Sequence, residues 1–296
     1  VTVTAQSSDA VSSSAESQLI ERKNAQVITD NMGSQEMKAN GKLNVVSLPF
    51  SNGIQYIGMN VTKPPFDNPK VRQAMAYAMP YQKIMDAVLF GLANPMFGAA
   101  ADNATEVAWP QPTRYSTDMA KAKALLAEAG YANGFETTIS FDLNFAGVNE
   151  PLCILVQESL AQIGIKTTIN KVPGANWRTE LNKKEMPLYT NVFSGWLDYP
   201  EYFFYWCYHG NNSVFNTMSY KSPEMDRLID GARTAASTGD TATYDKDVKG
   251  FVDLAYADIP RIPLYQPFVN VAMQKNISGY QYWFHRRLDY RALVKA

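Results

Sequence analysis

The segment KPPFDNPKVRQA at 63–74 constrains this chain more than any other stretch. A residue ahead of a proline is pushed out of helical conformations, so Lys63, Pro64 and Pro65 carry a strand end into a stiff elbow. Asn68 then has the side chain of a helix cap, and Pro69 the fixed backbone angle suited to a first helical position. Val71, Met75 and Ala78 recur at helical spacing behind that cap, which predicts a helix over 69–79. Pro80 opens the next, with Ile84, Val88 and Leu89 on one face and Gly91 as its stop. Strand, elbow and two helices in immediate succession point to an α/β architecture.

The same alternation runs along the chain. VTVTA at 1–5 alternates like a strand and 16–25 reads as a short helix. LNVVSLP at 43–49 and IQYIGMN at 54–60 are β-rich runs parted by Ser51, Asn52 and Gly53, which reads as a hairpin or as two crossing strands. The stretch 91–115, with Gly98 and three prolines, has no clear period and reads as a surface loop. Thr117 caps a helix over 118–129 that buries Ala120, Ala124, Leu125 and Ala129, with Gly130 placed for a left-handed C-cap. A strand at 136–143, a helix from Glu150 to Ile163 and a strand at 165–172 form a βαβ pattern, hence a partly parallel sheet. A helix near 175–184, a strand at 188–196, helices over 222–234 and 242–256 and a strand at 262–274 complete the series without an internal repeat.

Composition excludes more than it identifies. At 296 residues and 46% hydrophobic, the chain can build one large domain or two smaller ones. With 27 basic and 28 acidic residues there is no electrostatic footprint for nucleic acid or for an anionic membrane surface. No run of about eighteen apolar residues is present to span a bilayer. The start has no basic region followed by an apolar core, so we expect a mature or truncated chain rather than a precursor. Cys153 and Cys207 are either a disulfide or two buried thiols. His209 and His285 stand without metal-ligand spacing, so no metal and no cofactor is expected. None of the nucleophile-elbow, P-loop, dinucleotide or zincin motifs occurs, which argues against an enzyme.

The second telling stretch is GWLDYPEYFF at 195–204, which gathers a Trp, two Tyr and two Phe around a carboxylate, the mixture of a pocket wall. In chain order, PPFDNPKVRQAMAYAM, STDMAKAKALLAEAGY at 116–131, GWLDYPEYFF and DIPRIPLY at 258–265 resemble the second half of the extracellular solute-binding proteins of peptide-type ABC importers. The resemblance runs from about Leu19 onward. It implies an α/β, periplasmic-binding-protein-like lobe with a mixed, partly parallel sheet flanked by helices. Residues 56–266 would be that second lobe, 1–55 part of a first lobe, and 267–296 a return segment into it. A two-lobed receptor of this kind closes on a peptide or related amine-bearing solute and hands it to a membrane permease. The expected location is periplasmic, or extracellular and lipid-anchored in a Gram-positive host. Family members also carry a first half ahead of the point where this chain begins. If Val1 is the true start, its flanks should expose apolar surface and pair with another copy.

The resemblance also assigns roles. Asp198, after the GW pair, matches the residue that holds a ligand's α-ammonium in peptide-binding relatives, although here only Leu197 stands between it and Trp196, where many relatives have two residues. Its alternative duty is to cap a helix over 200–208. Trp196, Tyr199 and Tyr202 would be flat walls, while Phe203, Phe204 and Trp206 suit the core. Asn144 and Phe145 follow a strand end, where open α/β sheets place ligands. Some relatives hold the ligand carboxylate with an Arg three residues before the GW tryptophan or in the strand-end loop. Here the first position is Phe193 and the loop has no Arg, which leaves longer peptides, opine-type conjugates or glycans open. From another class, Asp198 and Glu201 are spaced to meet on one turn like a glycosidase carboxylate pair.

Overall fold

The computed structural model describes residues 27–29, 41, 43–49, 53–99, 107–195, 197–283 and 289–296, so the strand and helix expected at 1–5 and 16–25 lie outside the described residues. Contacts divide the chain into two compact units, Val1–Ser51 with Gly91–Asn94 and Pro267–Ala296, and Asn52–Phe90 with Pro95–Gln266. In the first, β1 (Val27–Thr29) and β2 (Leu43–Pro49) both pair antiparallel with residues 268–274 of the long strand β8 (Arg261–Gln274). Val269, Val271, Met273 and Ile277 form its buried cluster.

The second unit is built on a mixed sheet. β3 (Gly53–Met59), buried along its whole length, lies antiparallel between the first residues of β8 and β7 (Leu188–Ser194). β7 runs parallel to β5 (Glu136–Asp142), and β5 parallel to β6 (Lys166–Val172), giving the order β8-β3-β7-β5-β6. Of the two readings of 43–60, the hairpin does not form, and β2 and β3 are not paired with each other. β8 is fourteen residues long and offers β2 and β3 separate partners along its length.

The elbow behaves as read. Asn68 accepts a hydrogen bond from the Lys70 amide at 2.9 Å and starts α1 (Pro69–Ala78), followed by α2 (Tyr81–Ala87). Buried Arg72 locks the turn by donating to the Phe66 and Asp258 carbonyls at 2.8 and 2.7 Å. The next helix, α3 (Met119–Glu128), departs from expectation by one residue: its cap is Asp118, which accepts from the Lys121 amide, while the Thr117 hydroxyl donates to the Met79 carbonyl at 2.6 Å. The buried face differs as well: Ala122 and Leu126 pack inward, while Ala120 and Ala124 are exposed and Leu125 and Ala129 half-buried. Gly130 takes the left-handed conformation expected of it, at φ +88°.

Two crossovers join the parallel strands, and the second reaches the site. α4 (Ala146–Ala161), entered four residues earlier than its sequence pattern suggests through a 3-10 turn at Leu143–Phe145, links β5 to β6. α5 (Gly174–Lys183) links β6 to β7. Beyond β7, α6 (Pro200–Tyr208), α7 (Pro223–Thr238) and α8 (Thr241–Asp258) pack on one another around Phe203, Phe204, Met225, Ile229 and Phe251. Where it is described, the region 91–115 is more than a surface loop. It holds β4 (Ala93–Pro95), which pairs with β8, and its Trp109 ring lies 4.8 Å from both Phe203 and Phe204. An aperiodic stretch is tied to the core here through one large buried ring. Among the described residues no helix is long and apolar enough to cross a membrane.

Candidate functional site

A cavity of about 590 Å³ opens where α5, the end of β7, α6 and the loop at 214–217 meet. Pro200 sets the first turn of α6, and its aromatic run then divides by helical period. Phe203, Phe204, Cys207 and Tyr208 turn to the core. Tyr202 and Trp206, four apart, share the opposite face with ring centroids 6.2 Å apart and line the cavity. Phe193 and Phe215 continue the wall, 5.2 Å apart edge to face, and Trp206 meets Phe215 at 5.6 Å. On the far side Trp177 of α5 is buried, its indole N–H directed to the Asn191 Oδ1 at 3.5 Å, and Asn191 donates in turn to the Tyr56 hydroxyl at 3.3 Å.

Beneath the floor lies an unusual support. Arg261, fully buried at the start of β8, has no carboxylate partner among the described residues. Its guanidinium sits between the Tyr56 ring, at 4.2 Å, and the Tyr208 ring, at 5.0 Å, and donates to the Cys207 and Phe215 carbonyls and to the Met218 sulfur. The cation is held by π faces and carbonyl dipoles, which fix Tyr56 and the Phe215 loop on the cavity side. Tyr189 adds a buried hydrogen bond to Thr217, another lining residue, at 2.6 Å. Both cysteines are free and buried. Burial pushes the Cys153 thiol up to about 12 and the Cys207 thiol to about 11, the latter partly offset by Arg261.

A second, shallower cavity of about 370 Å³ shares Tyr202 and Trp206 with the first and adds Leu197, Tyr199, Glu201 and Arg233. Of the residues singled out in the sequence, Tyr202 therefore lines both cavities and Tyr199 the second. Trp196 lies outside the described residues. Asp198 is exposed and lines neither cavity, and it does not cap α6, because Tyr199 occupies the cap position without a side-chain bond. Asn144 and Phe145 sit on the 3-10 turn, away from both linings, with Asn144 packed against Gly174. Asp198 and Glu201 are thus not brought to one cavity, and Glu201 instead accepts a hydrogen bond from the Tyr244 hydroxyl at 2.8 Å. Trp206, read as core from sequence, is a wall because it lies one turn from Tyr202. Trp177 and Arg178 carried no local signal; a helix after a parallel strand was legible, but not which of its faces meets a cavity. No cluster of three or more metal ligands exists among the described residues, and His209 is buried between Asp226 and Asp230.

A mixed-sheet α/β lobe with a concave aromatic site is the architecture of the periplasmic solute-binding proteins. DppA of Helicobacter pylori in complex with the peptide STSA superimposes with a TM-score of 0.79 at 22% identity, covering 96% of this chain and 55% of that one. The dipeptide-binding protein of Pseudoalteromonas sp. SM9913, in complex with Met-Leu, gives 0.80 at 21% identity over 96% of this chain and 57% of its own. The chain belongs to the bacterial extracellular solute-binding proteins, family 5, whose model for the middle region matches residues 9–215. The glutathione-binding protein GsiB of Escherichia coli K12 is 31% identical over 234 residues, 76% of this chain. The chain spans 44% of the length of that relative.

Proposed function

We propose that this chain is the ligand-holding part of a substrate-binding protein for an ABC importer, which captures a peptide or related amine-bearing small solute and delivers it to a membrane permease outside the cytoplasm. The observation that carries the reading is the aromatic cavity of about 590 Å³, the size of a small-solute site, built on α5, α6 and the end of β7 with one loop that Arg261 holds. The family and the names of its relatives, which bind glutathione, STSA and Met-Leu, support a peptide-type ligand. In this reading residues 56–266 are the second lobe, and 1–55 and 267–296 belong to a first lobe that closes over the solute. Asp198, exposed just ahead of α6, meets the ligand ammonium, with Trp196, Tyr199 and Tyr202 as walls and Asn144 and Phe145 as outer contacts. No catalytic group is assigned.

Thermal-shift screening of the chain against di- and tripeptides, opines and sugars tests this, since a ligand that binds the folded state raises the melting temperature by mass action. Amine-bearing ligands should raise it, and the effect should shrink in Asp198→Ala. A response to sugars alone would move the solute class to glycans, and silence across the panel would remove the capture function.

A further inference from the structure

Arg178 is the one formally charged residue among the described residues that line the main cavity. It projects from α5 with its guanidinium stacked over the Phe215 ring, 4.8 Å from the centroid. Stacking holds the plane of the group while leaving its N–H edge available. The nearest acid on the same helix, Glu180, is taken by Lys183 at 2.8 Å, so Arg178 is left without a carboxylate of its own among the described residues. Asn182, one turn further along α5, also lines the cavity and adds amide donors on the same helical face.

We propose that Arg178, assisted by Asn182, is the receptor for a carboxylate of the solute, so that the cavity selects ligands carrying a free acid beside an apolar or aromatic group. This rests on the reading of the chain as a solute-binding lobe. The charge of the lining decides the sign: an uncompensated cation faces a space walled otherwise by aromatic and amide groups, which attracts an anion and repels an ammonium. The number of cations decides the anion. One guanidinium matches the single charge and planar fork of a carboxylate, whereas a phosphate dianion would remain half compensated. With Asp198 on the approach to α6, the two ends of a zwitterion have separate receptors, and the carboxylate end is the one inside the cavity.

Heteronuclear NMR titration of the chain reads this directly, because the indole N–H signals of Trp177 and Trp206 report occupancy of the cavity even for weak ligands. The probes are Ala-Phe, Ala-Phe amide and Ala-Glu amide, against wild type, Arg178→Gln and Arg178→Lys. Ala-Phe should bind roughly 10- to 100-fold more tightly than its amide in wild type, as the loss of a charge-assisted hydrogen bond predicts, and the difference should vanish in Arg178→Gln and be partly kept in Arg178→Lys. Binding of Ala-Glu amide that is lost in Arg178→Gln would assign the carboxylate to a ligand side chain rather than to its terminus, and supports the same receptor. Equal affinity for acid and amide in both wild type and Arg178→Gln would overturn the carboxylate receptor while leaving solute capture intact. Silence of both indoles toward every probe would overturn both. Because Arg178 is exposed, an unchanged melting temperature in each variant separates lost binding from lost folding.

Discussion

Replacing Gly58 by alanine should damage the site from below. Gly58 of β3 is paired with Tyr189 of β7, and a Cβ built on it falls 2.4 Å from the Tyr189 Cζ and 2.6 Å from its hydroxyl oxygen. Ordinary carbon contacts need more than 3.4 Å, so the ring must move by about 1 Å. It has little freedom to do so: Tyr189 is 1% exposed, meets Tyr56 edge to face at 6.4 Å, and shares a buried cluster with Val172, Trp177 and Leu181. Overpacking of such a site costs about 1–3 kcal/mol. Displacing the ring also breaks the 2.6 Å hydrogen bond to Thr217, and leaving those two groups unpaired adds about 1–2 kcal/mol. The sum, about 2–5 kcal/mol, corresponds to a fall in melting temperature of roughly 5–15 °C for a unit of this size. Calorimetry of Gly58→Ala, Tyr189→Leu and the double variant gives the decisive comparison. The double variant should be more stable than the sum of the two single losses predicts, because the leucine removes the atoms that clash. A melting temperature within about 1 °C of wild type for Gly58→Ala, or strict additivity, would refute the steric account.

Two further outcomes follow from buried polar groups. Asn216, 2% exposed, donates to the Tyr220, His209 and Tyr208 carbonyls at 2.7, 3.3 and 3.4 Å and accepts from the Tyr220 amide at 3.0 Å, so Asn216→Ala should cost about 3 kcal/mol in urea unfolding; a loss under about 1 kcal/mol would show that the loop is held otherwise. Stability should also fall as pH rises above about 9, because Cys207 and Cys153 keep their protons in the folded state to about 11 and 12 whereas unfolded thiols lose theirs near 9.0. The stabilisation is fully present below the unfolded value and is lost at up to about 1.4 kcal/mol per pH unit for each thiol; a melting-temperature slope between pH 8.5 and 10 that is the same in the double Cys→Ala variant would refute it.

The order of helices and strands was legible because its signals are local. Asn68 followed by Pro69 starts a helix whatever surrounds it, and Gly130 ends one because few other residues take φ +88° cheaply. The errors occur where a distant partner decides. Thr117 and Asp118 are both cap residues, and the choice falls to Asp118 because the Met79 carbonyl, 38 residues away, takes the Thr117 hydroxyl. Trp109 is likewise unremarkable in sequence, and its burial depends on two phenylalanines almost a hundred residues later. Strand pairing has the same character: nothing in 43–60 reveals that β8 is long enough to give β2 and β3 separate partners.

The site divides along that same line. Tyr202 was legible as a wall because it belongs to one dense aromatic stretch, and Trp206 needed only the period of α6 to join it. Arg178 stands in a different element, and its relation to Phe215 is set by the crossover from β6 through α5 to β7. That crossover changes the chemistry of the problem. Read from GWLDYPEYFF, the pocket is an anionic site awaiting an ammonium. Read from the folded lobe, the carboxylate of Asp198 lies outside the enclosed space and the charge inside it is positive. Under the proposed roles, a solute with a single amine would satisfy Asp198 and leave Arg178 facing an apolar ligand surface, at the cost of desolvating a cation without a partner. A solute with a single acid would do the reverse. A zwitterion satisfies both groups at once, so the two receptors proposed above together favour solutes that carry an amine and a carboxylate on one frame.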